Sequence, residues 1–398
     1  MFVSTILTNI HIIIIDFLII LCISSVWFYC YAMYAAITFF ADPSPIDLEF
    51  HPPVSILKPI CGLDSNAYEN LASFCQQDYP EYQIIFAVRN PQDPCIEVVE
   101  KIIYNFPDLD ILLVVSDRII GTNLKVSNLA NAAAKAKYEI LFLADSDIRV
   151  GRDYLQTVVQ PLQDKSVGVV TCMYRSLTKG WVSTLEAIGT TTEFHAGVLV
   201  SNIQENGIEY AFGSTIAIPK KVLEAIGGFE AIADYLADDF QLGYLPVQIG
   251  YKAMLSDYVV EHVQTNNNLV NAIKRQIRWA RGKRVCRPWG YLGLIFTYGI
   301  VSSMLLLIVT DGSILGWLGI SICWITRLVM AWIVGTISLK DPIVIKFLWL
   351  VPLCDLLSFA FWCFGFIGNT IEWRGQQMKL TKDGKLLMQE HPSYQLSN

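Results

Sequence analysis

The sequence predicts an α/β domain with a largely parallel sheet covered on both faces, set between membrane segments. Two observations predict it. Between Val54 and about Asn266, short apolar runs alternate with helical patterns, as in sheets built from crossover units. In addition, 53% of the 398 residues are hydrophobic and the mean hydropathy is +0.42, too apolar for a soluble chain of this length. The most apolar stretches lie towards the two ends.

Ile10 to Phe40 is an almost continuous apolar run, broken by Asp16, and it exceeds the ~20 residues that cross a bilayer core. Residues 1–41 are therefore read as a membrane anchor. A cleaved signal would carry basic residues ahead of its apolar stretch, whereas the first Lys or Arg of this chain is Lys58. Positive charge follows the helix, which directs the N-terminus away from the cytoplasm and the next domain into it. Asp42-Pro-Ser-Pro45 and Pro52-Pro53 read as a stiff linker.

Residues 42–285 form the expected α/β domain. Its strands are predicted at Val54–Leu57, Gln83–Val88, Ile111–Val115, Ile140–Ala144 and Gly168–Cys172. Helices are predicted at Asn66–Cys75, Pro94–Asn105, Val126–Ala136 and Tyr154–Leu162. Neither G-x-G-x-x-G nor a phosphate P-loop occurs, which takes support from a dinucleotide oxidoreductase and from a P-loop NTPase. A net charge of -7 and a pI near 5.3 argue against a nucleic-acid partner, which would require a basic face. The ten cysteines show no C-x-x-C pair and read as reduced, small apolar fillers.

Residues 286–398 form a C-terminal membrane region and basic tail. Apolar runs at Gly290–Val309, Ile314–Gly335 and Ile343–Phe366 are each long enough to cross. Three crossings would carry the tail outside, yet Arg374, Lys379, Lys382 and Lys385 are charges expected inside. Pro352 and Asp355 interrupt the last run, which is therefore expected to be re-entrant or interfacial.

The motifs that carry chemistry begin with Leu143-Ala-Asp-Ser-Asp-Ile-Arg-Val150. The apolar run Glu139–Ala144 delivers Asp145 and Asp147 to the carboxyl end of a buried strand, where ligands gather in open α/β sheets. Both are hard oxygen ligands for Mg2+ or Mn2+, an ion suited to holding a diphosphate. Alone, Asp-x-Asp is more often a solvated turn. Ala237-Asp-Asp-Phe-Gln-Leu-Gly243 sets Asp238 and Asp239 before a helical run. The pair either caps that helix or supplies a general base; as a base, the helix dipole is expected to keep it ionised and modest in strength.

Lys274-Arg-Gln-Ile-Arg-Trp-Ala-Arg-Gly-Lys-Arg284 packs six basic residues around Trp279, just before a membrane segment. It reads as a collar for anionic lipid heads and, equally, as an anion clamp. Arg275 and Arg278 lie three apart on one helical face and would meet a diphosphate together, with Trp279 as an apolar platform. Gly121-Thr-Asn-Leu-Lys-Val-Ser-Asn128 reads as a turn and helix start. His195 reads as a structural histidine, and Gly213-Ser-Thr215 as a place where backbone approaches closely.

Taken together, Lys58-Pro-Ile-Cys-Gly-Leu-Asp64, Asp145-Ser-Asp147-Ile-Arg-Val, Ala237-Asp-Asp239 and Arg275-x-x-Arg278-Trp279 carry a resemblance. In this order and spacing they resemble the membrane glycosyltransferases of the ceramide glucosyltransferase family and the bacterial lipid and hopanoid glycosyltransferases close to it. Trp373-Arg-Gly375 is also similar to their tail, and the resemblance covers roughly residues 1–385. It implies the GT-A nucleotide-diphospho-sugar transferase fold with flanking transmembrane helices. The implied activity is inverting transfer of a hexose from a UDP-sugar, usually UDP-glucose, to the hydroxyl of a membrane lipid at the cytoplasmic face.

Carried over residue by residue, the resemblance implies Asp239 as catalytic base with Asp238 beside it. Asp145 and Asp147 fall on the metal and diphosphate motif, with Mg2+ or Mn2+ as cofactor. Asp64 falls on the nucleotide side, and Arg275, Arg278 and Trp279 beside the diphosphate and acceptor. Lys125 matches a family turn that approaches the diphosphate. An acidic residue after the second strand meets uracil in many relatives of this fold, which leaves Asp64 and Asp93 as alternatives. Gly213, Ser214 and His195 are placed on the acceptor side. Animal ceramide enzymes typically have Gly where this chain has Asp147; the second carboxylate is more like the bacterial branch, so ceramide, diacylglycerol and hopanoid all remain as acceptors.

Two other readings compete. A processive polysaccharide synthase would share Asp-x-Asp and the basic-Trp motif but would require a polymer channel that so few spans do not build. A non-catalytic nucleotide-sugar binding protein or transporter component would not require a base carboxylate. A transporter would also carry more intramembrane charge than Asp16, Arg327 and Asp355.

Overall fold

Strand β1 (Val54–Pro59) is buried along its whole length, as is β2 (Tyr82–Val88). That is why neither shows the alternation of a half-exposed strand, although Ser55, Lys58 and Gln83 are buried within them. In the computed structural model, which describes residues 2–265, 268–373 and 376–388, these strands sit in an eight-stranded sheet. It is completed by β3 (Asp110–Val115), β4 (Ile140–Leu143), β5 (Ile148–Arg149), β6 (Val167–Thr178), β7 (Ile216–Pro219) and β8 (Lys252–Gln264), in the order β3-β2-β1-β4-β7-β6-β8-β5.

The first half is parallel: β1 pairs β2 and β4, and β2 pairs β3. Beyond β4 the sheet is mixed. β7 runs antiparallel to both β4 and β6, and β5 antiparallel to β8, although β6 and β8 are parallel. The expectation of a largely parallel sheet therefore holds for the β3-β2-β1-β4 half. β7 and β8 lie outside the predicted strands, and β7 fills the gap between β4 and β6 in the reverse direction. The order turns at β1 and β4, so their carboxyl ends frame the crevice in which this class of sheet holds ligands.

Helices α1 (Phe2–Ala41), α2 (Ala67–Ser73), α3 (Cys95–Asn105), α4 (Leu124–Ala133) and α5 (Tyr154–Val159) precede the second half. Then come α6 (Trp181–Gly189), α7 (His195–Gln204), α8 (Lys220–Ala225), α9 (Asp238–Gln248) and α10 (Leu269–Cys286). The sheet separates two cores. One holds Ile56, Phe74, Phe86, Phe142 and Tyr154. The other joins Leu57, Leu143 and Leu199 to Tyr29, Ala32, Ala35 and Ala36 of α1. The inner third of α1 is thus part of the domain core, with alanines letting the helix approach closely.

The C-terminal region contains α11 (Pro288–Gly293), α12 (Gly299–Val309), α13 (Ile314–Ala331), α14 (Pro342–Phe347) and α15 (Val351–Gly365). Ile6–Ala41, Ile314–Ser338 and Pro342–Gly365 are long and apolar enough to cross a membrane; Pro288–Thr297 and Gly299–Val309 qualify only together and meet at 54°. The sharp break thus falls in the run Gly290–Val309, earlier than the sequence suggested. Tyr29 holds it: its hydroxyl donates to Thr297 O at 2.8 Å and accepts from Gly299 N at 3.0 Å, satisfying backbone groups that the break exposes. A Cβ at Gly299 would lie 2.8 Å from Ser25 Cβ, so the close crossing requires glycine.

α12 and α13 form a hairpin along α1. At its far end His11 Nε2 lies 2.9 Å from Val309 O, and on the way back Cys323 packs on Cys22 and Arg327 covers the Tyr29 ring. The run Pro342–Gly365 behaves differently, because both of its ends are tied to the α/β unit. At its start Thr191 donates to Asp341 at 2.6 Å. Just past its end Arg281 donates to Ile367 O at 2.6 Å. Between them Val351 and Cys354 pack on Ile188 of α6.

The tail folds back as an antiparallel sheet of β9 (Thr370–Trp373), β10 (Gln376–Leu380) and β11 (Leu386–Met388). It clasps the segment ahead of α9. Leu386 N donates to Asp234 O at 2.7 Å and Leu236 N to Gly384 O at 3.0 Å, and Leu236 and Val285 pack against Ile371, Met378, Leu380 and Leu386. Arg374 and Gly375 of the Trp-Arg-Gly motif lie outside the described residues.

Candidate active site

β4 ends at Leu143, and the chain turns through Asp145-Ser146-Asp147 into β5. Backbone bonds fix the turn. Asp145 N donates to Gly213 O at 3.0 Å, and the ammonium of Lys58 donates to Asp145 O at 2.6 Å. Lys58 is fully buried over the Phe74 ring. Burial pulls its pKa down to about 7, against the upward pull of Asp145, Asp147 and Asp64.

Asp145 and Asp147 have different partners. Lys125 Nζ lies 2.7 Å from Asp145 and 3.2 Å from Asp238. The Lys125 ammonium is held protonated, the loss from burial being outweighed by these carboxylates. Asp147 Oδ2 lies 3.2 Å from His262 Nε2. Burial and Asp147 push Asp145 upward in spite of Lys125; for Asp147 the upward push of burial is outweighed by His262 and Lys58, and its pKa falls. His262 moves up in turn, burial being overcome by Asp147.

Lys125 occupies the first turn of α4, so the turn-and-helix-start reading and the approach to the acidic motif hold together. Asn123 caps α4, accepting from Lys125 N at 3.0 Å. Its amide also donates to Asp238 at 3.2 Å and to Tyr235 O at 2.9 Å. Asp238 is buried. Both aspartates sit in the first turn of α9 and not at its cap. Asp239 accepts from Gly213 N at 3.1 Å and from Phe240 N at 2.8 Å. Burial first, then Asp238, raises its pKa to about 6, with Lys125 opposing. Asp239 thus stays ionised at neutral pH, as expected, but is a stronger base than the modest one anticipated, because desolvation and the adjacent carboxylate outweigh the helix terminus.

Gly213 is where these parts meet. A Cβ there would lie 2.6 Å from Asp145 Oδ2 and 3.1 Å from Lys125 Nζ, so any side chain would displace the Asp145 carboxylate. Ser214 turns the other way, buried and donating to Cys172 O at 2.9 Å. His195 is buried too, with Nε2 2.8 Å from Tyr174 O. Burial lowers its pKa to about 3, as the structural reading of that residue anticipates.

Asp64 accepts from Ser146 Oγ at 2.5 Å, within the acidic motif. Asp93 binds backbone with both oxygens, Gly62 N at 2.7 Å and Cys95 N at 2.9 Å, so it shapes the loop before Asp64. In the basic helix, Arg275 grips Glu186 with two bonds, at 3.1 Å and 2.5 Å, and packs near Trp279. Arg278 stacks on Trp373. The structure therefore gives the two arginines separate partners in place of one shared anion, because α6 presents Glu186 to the first and the tail presents an indole to the second.

Among the described residues no three His, Cys, Asp or Glu side chains converge as a ready-made metal cage. The paired carboxylates Asp145 and Asp147 fit a hard divalent cation that takes its remaining ligands from substrate phosphates and water. Sequence reasoning gave no role to Lys58, Asn123, Glu186 or His262. Lys58 and Asn123 lay within quoted motifs; His262 and Glu186 are brought in by a strand and a helix that local pattern left unassigned.

A sequence profile described as glycosyl transferase family 21 matches residues 17–386. Ceramide glucosyltransferase 1 of Caenorhabditis elegans is 25% identical over 353 residues, covering 84% of this chain and 73% of that protein. The ceramide glucosyltransferase of Candida albicans is 36% identical over 131 residues, covering 30% of this chain and 24% of that protein. Among solved structures, a mannosyltransferase from Pyrobaculum calidifontis in complex with GDP-Man and Mn2+ superposes with a TM-score of 0.52 at 18% identity, covering 87% of this chain and 98% of that one. The fold is that of a GT-A glycosyltransferase, and with a match running through residues 17–386 the chain belongs to glycosyl transferase family 21.

Proposed function

We propose that this glycosyltransferase moves a hexose from a UDP-sugar, with UDP-glucose as the leading donor, to the hydroxyl of a membrane lipid with inversion of configuration. The observation that carries this reading is the hinge at Gly213, which holds the base Asp239 by its N–H and the diphosphate motif at Asp145 by its carbonyl. Acceptor and leaving group are thereby set on two sides of one residue. With a pKa of about 6, Asp239 is ionised at neutral pH yet more basic than an ordinary carboxylate, as general-base catalysis favours. It takes the proton of the lipid hydroxyl while that oxygen bonds the anomeric carbon and the bond to the diphosphate breaks. Asp145 and Asp147 would hold Mg2+ or Mn2+, which supplies positive charge to the departing diphosphate. Lys125 keeps Asp145 and Asp238 in place, and Asp64 adjoins the motif from the nucleotide side.

The membrane arrangement fits this chemistry. In this reading α1, the bent pair Pro288–Thr297 and Gly299–Val309 taken as one span, and α13 make three crossings, while Pro342–Gly365, long enough to cross but tied to the α/β unit at both ends, is assigned to the membrane face. The tail then shares a side with the domain, and the positive charge that follows α1 assigns this side to the cytoplasm. The relatives named as ceramide glucosyltransferases support a ceramide-type acceptor. The test is product mass: protein in lipid nanodiscs with UDP-glucose and Mn2+, offered ceramide, diacylglycerol or a hopanoid. A single added hexose on ceramide supports the reading, while a polymer, or no lipid product over the panel, overturns it.

A further inference from the structure

Residues 233–237, which lead into α9, form no helix or strand of their own, and α9 starts at Ala237 without a side-chain cap. The direction of its first turn, which carries Asp238 and Asp239, therefore depends on how the chain before it is held. That chain is fastened on two sides. On one, Asn123 N donates to Ala233 O at 2.8 Å, the Asn123 amide donates to Tyr235 O at 2.9 Å, and Thr122 donates to the Asp234 carboxylate through N and Oγ1 at 2.8 Å and 2.9 Å. On the other lies the tail. Leu386 N donates to Asp234 O at 2.7 Å and Leu236 N to Gly384 O at 3.0 Å. Tyr235 and Lys385 are thereby paired as in an antiparallel ladder, with the Lys385 ammonium 5.5 Å over the Tyr235 ring.

What carries the tail is the basic helix. Lys274, Arg278, Arg281 and Arg284 recur every three or four residues and so share one face of α10. All four meet the tail. Lys274 pairs with Glu372 at 2.7 Å, Arg278 stacks on the Trp373 ring at 5.4 Å, Arg281 donates to Thr370 O and Ile367 O, and Arg284 donates to Asn369 at 2.6 Å. Exposed contacts of this kind are individually weak, but an apolar seam lies beneath them. Val285 of the same helix and Leu236 pack against Ile371, Met378, Leu380 and Leu386, and none of these last four is more than 2% exposed. Leu236 stands just ahead of Asp238. α10, the tail and the entry to α9 thus form one continuous unit. The Asp145–Asp147 turn is fastened to other parts of the fold, by Lys58 and by Gly213 O.

We infer that the tail sheet of β9, β10 and β11 is the positioning element for the base. Gly384, Lys385 and Leu386 strap the chain that enters α9, and Arg278 and Arg281 are positioning residues that act on Asp239 through this sheet. The inference rests on the reading of Asp239 as base. It gives the basic-Trp helix a task other than gripping an anion or a lipid head. A helix start that lacks a side-chain cap and carries two adjacent carboxylates, one of them buried, reorients unless its entry strand is fixed. A base displaced by about 1 Å loses about 10²-fold in rate. Donor binding relies on the turn between β4 and β5 and survives loss of the strap.

Its test is a double-mutant cycle in the intact chain. Proline has no N–H, so Leu386→Pro deletes the bond to Asp234 O, whereas Leu386→Met keeps that bond and the apolar contact. Transfer from UDP-glucose to an N-hexanoyl sphingoid base in mixed micelles is measured, and calorimetry with UDP shows whether fold and donor site persist. In Leu386→Pro kcat should fall about 10- to 100-fold with UDP affinity within about two-fold of wild type, and Leu386→Met should keep kcat within about two-fold. Placed on Asp239→Asn, Leu386→Pro should cost less than about three-fold more, because a base that is absent cannot be misplaced; a merely structural loss would multiply in full. Gly384→Ala strains a backbone at φ +88° where the nearest atoms to a new Cβ are at 3.6 Å. It is the milder lesion of the same strap and carries the cycle if Leu386→Pro no longer binds UDP. Wild-type kcat in the strap variants, or losses that multiply in full onto Asp239→Asn, overturn the inference. Asp239→Asn that transfers at the wild-type rate overturns the reading of the base instead.

Discussion

Lys125 places its ammonium 2.7 Å from Asp145, and the same nitrogen reaches Asp238 at 3.2 Å. One cation thus joins the diphosphate motif to the acidic pair of α9, and it lowers the pKa of Asp239 as well. Removing it in Lys125→Met should let the Asp239 carboxyl rise above about 6. The base would then be protonated at higher pH. The acid limb of the kcat/KM profile should move to higher pH relative to wild type, and a profile that keeps its limb would show that Lys125 does not act on the base.

Asp239→Asn removes the proton acceptor while keeping the size of the side chain. Transfer should fall about 10²- to 10⁴-fold, the usual range for a general base, with UDP affinity retained by calorimetry. Wild type should lose activity as pH falls through about 6, because protonated Asp239 cannot accept.

Gly213→Ala would bring a methyl group to 2.6 Å from Asp145 Oδ2. The carboxylate or the strand must shift, and displacements of this size cost about 10²-fold in rate. Steady-state assays should show the loss mainly in kcat, with the unfolding midpoint little changed.

Glu186 holds Arg275 through both carboxylate oxygens and also receives Gln264 and Gln276 at 2.7 Å and 3.0 Å. In Glu186→Ala the guanidinium loses its partner in a mostly buried setting, with side-chain exposures of 20% and 8% for the pair. A stability loss of ~2 kcal/mol is expected for charged hydrogen bonds of this kind, read as a lower melting temperature in detergent. Glu186→Gln, which retains acceptor oxygen, should lose less.

Metal affinity should depend on the donor, since two carboxylates alone make a weak site for Mg2+ or Mn2+. Calorimetry should detect little Mn2+ binding to the free protein and clear binding in the presence of UDP. EDTA should abolish transfer and Mn2+ restore it. Full activity in EDTA would mean that cationic side chains neutralise the diphosphate unaided.

The local chemistry of this chain was legible because each motif is short and lies at the end of an element. β1, β2 and β4 announce themselves by largely apolar runs; Asp145 and Asp147 stand where the β4 run stops, and Asp238 and Asp239 where α9 begins. Partners supplied from a distance were not legible. His262 lies on β8, whose run is broken by Ser256-Asp257, and nothing local ties it to Asp147. The bend in the C-terminal region was sought at Pro352, but proline in the first turn of α15 is well tolerated. The real break at Tyr298 depends on Tyr29. An anchor that is apolar all round also gives no sign of which face meets protein, so the burial of Ala32, Ala35 and Ala36 could not be read.

Those three alanines bear on how the protein is made. The core they enter is closed from the other end of the chain by Met330, Val334 and Leu339. The ribosome therefore delivers the whole sheet before the residues that seal one of its faces exist. Until α13 has been inserted and has returned, the nascent domain carries an open apolar surface beside the membrane, a state that invites chaperone binding and proteolysis. A chain released after Ser313 should leave its sheet open to protease, and one released after Met388 should not. On this account the timing of membrane insertion sets the moment at which the catalytic domain can finish folding.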